Sequence, residues 1–372
     1  MNGNFRVGSL FGIPFFLNIS WFLVLALVTL NFGGGLSAQF PSLGVAALPL
    51  GLVAGLLLFA SVLLHELGHS YAAIRQGIGV NSITLFLFGG LANLNAESKI
   101  PGGAFKIAIA DPLVSFGLFL LLSFVANSGF VGGPIAAIAG LLAYVNLILA
   151  TFNMIPGLPL DGGNVLKSIV WKITGNQFTG TLWASRVGQF IGWTAISLGA
   201  LAILGISNVG SFWTLIIGWF LLQNAERSAQ SATIQSALAG LTAADVITDN
   251  SPITTTETNL RELANSAIRL GDRQQWKRFL VQDEAGQLVG SLDITALNNI
   301  PTNQWPQHQV KDLQAFIRPI PQANRIDSKE SLLTVATRLE EQRIQTLAVT
   351  GDGGVLLGLL EKSAIVKRLQ AQ

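Results

Sequence analysis

His65, Glu66 and His69 stand in the run His65-Glu66-Leu67-Gly68-His69 and include two of the three histidines in the chain. On a helix, side chains four residues apart share one face, about 6 Å apart along the axis, so both imidazoles can ligate one divalent ion. Glu66 is rotated by roughly 100° from His65, which lets its carboxylate reach a water at that ion and serve as a general base. The run closes twenty uncharged, mostly apolar residues, Val45 to Leu64. Polar packing between helices is the plainer reading, but ionisable side chains in such a segment are costly in lipid and are kept where they have a function.

A second run, Asn153-Met154-Ile155-Pro156-Gly157-Leu158-Pro159-Leu160-Asp161-Gly162-Gly163, supplies another carboxylate. Its prolines and glycines break a helix and free backbone groups, which membrane depth tolerates only where they are buried in protein or line a wet cavity. A catalytic zinc takes three protein ligands and keeps one open position, an inventory that His65, His69 and Asp161 fill for one ion per chain. The plainer reading of Asp161 is the cap of a following helix.

The elements that must hold these residues follow from composition. Half of the 372 residues are apolar and only 11% are charged, too hydrophobic for an ordinary soluble protein. Residues 1–225 contain four acidic residues (Glu66, Glu97, Asp111, Asp161) and seven basic ones, so most of the charge lies further on. The chain therefore divides into a membrane domain, 1–225, a Ser/Gln/Ala-rich linker, 226–241, and a soluble domain, 242–372. A net charge of +2 gives no basis for a nucleic-acid partner, and the absence of Cys excludes disulfides and thiolate ligands.

Spanning helices are expected at 13–31, 45–73, 104–126, 134–155, 187–206 and 209–223, each near the length needed to cross about 30 Å of hydrocarbon. The loops 32–44, 127–133 and 207–210 carry no Lys or Arg, whereas Arg6, Arg75, Lys99, Lys106, Lys167, Lys172, Arg186 and Arg227 fall on the other side. That side is expected to be the cytoplasm, with both termini on it. A cleaved signal peptide over 1–38 is the competing reading; a single Arg6 and the bulky Leu36 near Ser37-Ala38 disfavour it. Residues 82–94 are rich in strand formers, are broken by Gly89-Gly90, and are expected as a short membrane-associated β segment.

The two motifs, in this order on apolar segments, resemble the site-2 protease family of intramembrane zinc metalloproteases. The resemblance implies a polytopic α-helical membrane protein of about six transmembrane helices, multi-pass in a bacterial plasma membrane. It implies cleavage of transmembrane protein substrates within the lipid bilayer, releasing membrane-bound regulators. Carried over by position, His65, His69 and Asp161 are zinc ligands, Glu66 is the base, and Asn153 helps stabilise the reacting carbonyl. An edge of the β segment would hold an unwound substrate by main-chain hydrogen bonds. Two positions depart from the family: Ala110-Asp111-Pro112 stands where Ala-Gly-Pro is usual, and Ala104 where Glu is common. Asp111 is expected to crowd helices that glycine lets approach and to cost about 2.5–3.5 kcal/mol at a helix centre.

In the soluble part, Leu280–Leu292 matches Ala348–Leu360 without gaps at a spacing of 68, each copy reading as strand, glycine turn, strand. Helices are expected upstream at Asn259–Leu270 and Lys329–Gln342. The pattern resembles a tandem pair of cystathionine-β-synthase (CBS) domains of α/β fold. Such pairs often bind adenosyl nucleotides between the repeats and often dimerise, which implies a homodimer through the pair. Here Ala296 and Ala364 occupy both ribose-binding Asp positions, and Asp293 and Glu361 add negative charge, so adenine nucleotide is a doubtful ligand. The whole reads as an intramembrane zinc endopeptidase with a cytoplasmic CBS module for regulation or dimerisation. The alternatives are an inactive relative that only binds membrane partners and a CBS-regulated transporter, which would distribute polar residues along a pathway instead of gathering them at one point.

Overall fold

The structure is a computed structural model that describes residues 4–10, 12–86, 89–248, 251–271 and 278–370. The chain divides into two compact units, Met1–Thr233 and Ile234–Gln372.

The first unit opens with strands β1 (Asn4–Leu10) and β2 (Ile13–Asn18), followed by helices α1 (Ile19–Gln39) and α2 (Ala47–Ile74). Strands β3 (Val80–Phe86) and β4 (Gly89–Leu94) come next, then α3 (Pro101–Asn127), α4 (Gly133–Asn153), α5 (Asp161–Thr174), α6 (Gln177–Ile203) and α7 (Phe212–Leu238). Among the described residues, five helices are long and apolar enough to cross a membrane: α1, α2 with the turn before it, α3, α4 and α6. This is one fewer than the six expected. The apolar part of α7 ends at Leu222, so it covers about 16 Å at 1.5 Å per residue, roughly half the hydrocarbon thickness.

Two further expectations are corrected. Residues 13–18 do not begin the first helix; they form β2, and Asn18 caps α1 by accepting the Ser20 N–H. The fifth spanning helix begins at Gln177, not near 187, because Asn176 caps it through the Phe178 and Thr179 N–H groups. Residues 226–241, expected as a linker, are helical to Leu238 as the continuation of α7, and the division between the two units falls within them.

The β segment at 82–94 is part of a four-stranded sheet in the order β1-β2-β3-β4. Residues 87 and 88, within that segment, lie outside the described residues. β2 and β3 pair in parallel (Phe15 with Ile83), and β3 and β4 pair antiparallel (Ile83 with Ala92). The sheet buries Ile13, Ile83 and Leu85 against Trp21 of α1 and Phe59, Leu63 and Leu67 of α2. That contact fixes the rotation of α2 about its axis, and hence the direction its histidines face.

The second unit repeats one motif twice. β5 (Ile253–Thr255), α8 (Leu260–Gly271), β6 (Arg278–Gln282) and β7 (Leu288–Asp293) build one three-stranded sheet with its helix. β8 (Arg325–Asp327), α9 (Leu332–Glu341), β9 (Thr346–Thr350) and β10 (Leu356–Glu361) build the other, followed by α10 (Lys362–Gln370). The registers correspond across the 68-residue spacing: Phe279 faces Leu292 as Leu347 faces Leu360. Each repeat has its own apolar core, around Phe279, Val281 and Leu292 in one and Leu347, Val349 and Leu360 in the other. Leu280, Leu288, Ala348 and Leu359 join the two.

Candidate active site

α2 turns His65 and His69 towards α3, and α3 meets them with two polar side chains at the same spacing, Asp111 and Ser115. His65 Nδ1 lies 2.8 Å from Ser115 Oγ, and His69 Nδ1 lies 3.2 Å from Asp111 Oδ1. Asp111 Oδ1 also accepts the backbone N–H of His69. Gly68 makes this approach feasible, since a Cβ there would stand 2.6 Å from Asp111 Oδ1 and 3.1 Å from the Ala110 carbonyl. His65, Glu66, Asp111 and Ser115 are all buried.

With both Nδ1 atoms directed at α3, the two Nε2 atoms point the other way, and there they meet one carboxylate. Asp161 Oδ1 is 3.2 Å from His69 Nε2, and Asp161 Oδ2 is 3.6 Å from His65 Nε2. Asp161 is the first residue of α5, with Leu160 as the cap. Capping therefore does not exhaust its role, because its carboxylate reaches the histidine pair. The chain before it folds back on the first turn of α5, leaving Gly162 and Gly163 in van der Waals contact with the backbones of Met154–Ile155 and Gly157–Leu158. A side chain at either glycine would force these backbones apart.

The donor set suits a zinc ion. Tetrahedral zinc with N and O ligands at 2.0–2.2 Å holds neighbouring ligand atoms about 3.4 Å apart, and the two Nε2–carboxylate separations bracket that spacing. His65, Asp111 and Asp161 also each offer an atom within 4.8 Å of the others. Asp111 Oδ2, however, stands 4.0 Å from His65 Nε2, beyond the ligand spacing. His69 Nδ1 is buried without a well-directed hydrogen bond, since Asp111 Oδ1 lies within distance but off the line of the N–H.

Two further expected residues border this cluster. Asn153, the last residue of α4, places Nδ2 3.2 Å from His65 Nε2. Glu66 faces β4, where Gly90 lies against its side chain. β4 is an edge strand, with β3 on one side only. Beside His69 a cavity of about 190 Å³ is lined by Leu94, Glu97, Ala104, Asn164 and Lys167. Glu97 accepts from Lys167 Nζ at 2.7 Å and from Gln177 Nε2 at 2.6 Å, tying the segment after β4 to α5 and α6. The sequence did not single out Ser115 or this Glu97 cluster; the available signal for Ser115 was its position four residues after Asp111.

In the second unit a cleft of about 260 Å³ takes Arg278, Ser291 and Arg318 from one repeat and Thr346 and Leu359 from the other. An adjoining hollow holds Asp293, Thr295 and Ala296 with the same two arginines. The Thr295 hydroxyl and N–H hold the Asp293 carboxyl below the usual carboxylate range, and Glu361 accepts from Ser363 Oγ at 2.7 Å. Ala364 packs on the apolar core of its repeat. Of the two alanines, Ala296 alone lines this hollow, and the region is more cationic than the sequence pattern suggested.

Paired histidines and a carboxylate gathered among apolar helices define a membrane-embedded zinc metalloprotease. The comparisons carry this to a family. The profile described as peptidase family M50 matches residues 53–138 and 128–195. A protein of Synechocystis sp. (strain ATCC 27184 / PCC 6803 / Kazusa), named as a zinc metalloprotease, is 53% identical over 100% of this chain and 96% of its own length. The chain belongs to peptidase family M50, whose members are metalloproteases of the site-2 type. The solved site-2 protease from Methanocaldococcus jannaschii is 31% identical over 61% of this chain and 95% of that one, with a TM-score of 0.44. The CBS domain of a bacterial CNNM/CorC family Mg2+ transporter, solved in complex with ATP, covers 38% of this chain and 99% of its own at 13% identity and a TM-score of 0.28.

Proposed function

We propose that this protein cleaves transmembrane segments of membrane-bound regulatory proteins at a single zinc site formed by His65, His69 and Asp161. The observation that carries the reading is the convergence of both Nε2 atoms on the Asp161 carboxylate, beside a buried Glu66 and among apolar helices. Zinc bound there would supply Lewis-acid polarisation of the scissile carbonyl and hydroxide at neutral pH. Glu66 accepts the proton of the attacking water and delivers it to the leaving amine, as its position one residue after His65 allows. Asn153 orients the peptide carbonyl from the His65 side. The free edge of β4 pairs with the unwound substrate and brings its backbone past Glu66.

The test compares membrane proteomes and zinc content of cells carrying the native chain and Glu66→Gln. The expected outcome is zinc retained and turnover down by about 10²–10⁴-fold, the usual share of a general base. Zinc retained after combined His65→Ala and Asp161→Ala would sink the site. Equal processing by Glu66→Gln and the native chain would instead favour the inactive, partner-binding alternative.

The same reading takes α7 as a sixth crossing, its short apolar part accommodated by local thinning of the bilayer, with both termini cytoplasmic, on the strength of the basic residues gathered on one side. Reporter fusions should read outside at Asn208 and inside at Gly240. An outside reading at Gly240 leaves only five crossings. The second unit is assigned to regulation or to dimerisation of the protease.

A further inference from the structure

The helical residue Asp111 replaces the glycine usual in the family, and its surroundings give it more than a packing role. It is 1% exposed, accepts the His69 backbone N–H and stands 3.2 Å from His69 Nδ1. One helical turn away, Ser115 makes the corresponding approach to His65 Nδ1. α3 therefore presents two polar groups, four residues apart, to two histidines four residues apart on α2. A neutral imidazole carries one proton, and whichever nitrogen is held by an acceptor leaves the other free to ligate.

We infer that Asp111 is a positioning residue that holds the His69 ring with Nδ1–H towards α3 and Nε2 free for the metal. This rests on the assignment of His69 as a zinc ligand. Asp111 Oδ1, 3.2 Å from His69 Nδ1, is an acceptor within reach of that N–H, and a zinc ion held by Nε2 would leave the proton on Nδ1. The arrangement is the carboxylate–histidine pairing that orients metal ligands, in which loss of the partner costs about 10–100-fold in metal affinity. Asp161 lies nearer the Nε2 atoms, at 3.2 and 3.6 Å, than Asp111 Oδ2 at 4.0 Å, which assigns ligation to Asp161 and positioning to Asp111.

The experiment uses the full chain in detergent, stripped of metal and titrated with Zn(II) against a chelator and with Co(II) for its visible ligand-field bands. Native, Asp111→Asn, Asp111→Gly and Ser115→Ala proteins are compared, with thermal midpoints measured for each. The expected result is a loss of about tenfold or more in zinc affinity for Asp111→Gly. Asp111→Asn, whose side-chain oxygen still accepts, should recover most of the affinity with unaltered Co(II) bands. A lower thermal midpoint with unchanged zinc affinity in both Asp111 variants would overturn the proposal in favour of packing alone. Co(II) bands altered by Asp111→Asn would overturn it in favour of direct ligation. If the native chain takes up no metal through His65 and His69, the zinc site itself fails, an outcome distinct from these.

Discussion

Of the twelve largest side chains that are almost fully buried among the described residues, eleven lie in Ile234–Gln372 and one, Ile83, in Met1–Thr233. The twelve buried polar or charged residues divide the other way: ten in the first unit, with only Thr254 and Ser328 in the second. The outer surface of the first unit is apolar instead, with Leu23, Leu57, Leu120, Phe190 and Trp193 exposed. In water, burial of a leucine drives folding; in lipid it does not, because acyl chains are as apolar as leucine. Burial in the second unit therefore reports stability, whereas in the first it reports where polar chemistry has been collected.

One substitution made in both regions can break that contrast. Leu347→Ala, in the core of the second repeat, should destabilise its unit by about 2–5 kcal/mol, through lost transfer energy and the cavity left behind. Leu120→Ala, on the exposed face of α3, should cost under about 1 kcal/mol, because its side chain leaves one apolar medium for another. Amide hydrogen exchange of β9 and of α3 in the purified protein reads both. Equal losses of protection would mean that Leu120 is packed against protein, not lipid.

A weaker effect sharpens the comparison within the second unit. Ala296 lacks the carboxylate that would accept ribose hydroxyls, and an acceptor of that kind contributes about 1.5–3 kcal/mol, so affinity should fall by roughly tenfold or more. Asp293, kept ionised by Thr295, opposes a phosphate, whereas Arg278 and Arg318 attract one. Calorimetric titration of the full chain with ATP, ADP, AMP and S-adenosylmethionine should show no saturation at micromolar ligand. Micromolar binding that is lost in Arg318→Ala would mean that the arginines outweigh the missing carboxylate.

The parts of this molecule that the sequence made legible are those written in local spacing. Four-residue separation placed His65 and His69 on one face, and the 68-residue repeat located β6, β7, β9 and β10. Elements that depend on a single boundary residue were hidden. Ile13–Leu17 is apolar enough to merge with α1 in any hydropathy window, and only Asn18 marks the change from strand to helix. α5, fourteen residues long and amphipathic, is too short to register as a span. β5 and β8, three residues each, gain their identity from parallel pairing with β6 and β9, which no local pattern records. Asp111 looks, from sequence alone, like an intruder in a helix interface, because its partners lie forty-two and forty-six residues away, at His69 and His65.

Two of the three positions between the histidines, those usually written as free to vary, are each committed to a different neighbour in this chain. Leu67 packs into the cluster beneath the sheet, and Gly68 leaves the gap through which Asp111 reaches the backbone of His69. A motif that specifies three residues out of five is thus, in three dimensions, fully subscribed. The spacing between the histidines is information in its own right, and a glycine with no functional group shapes the site as much as the imidazoles on either side.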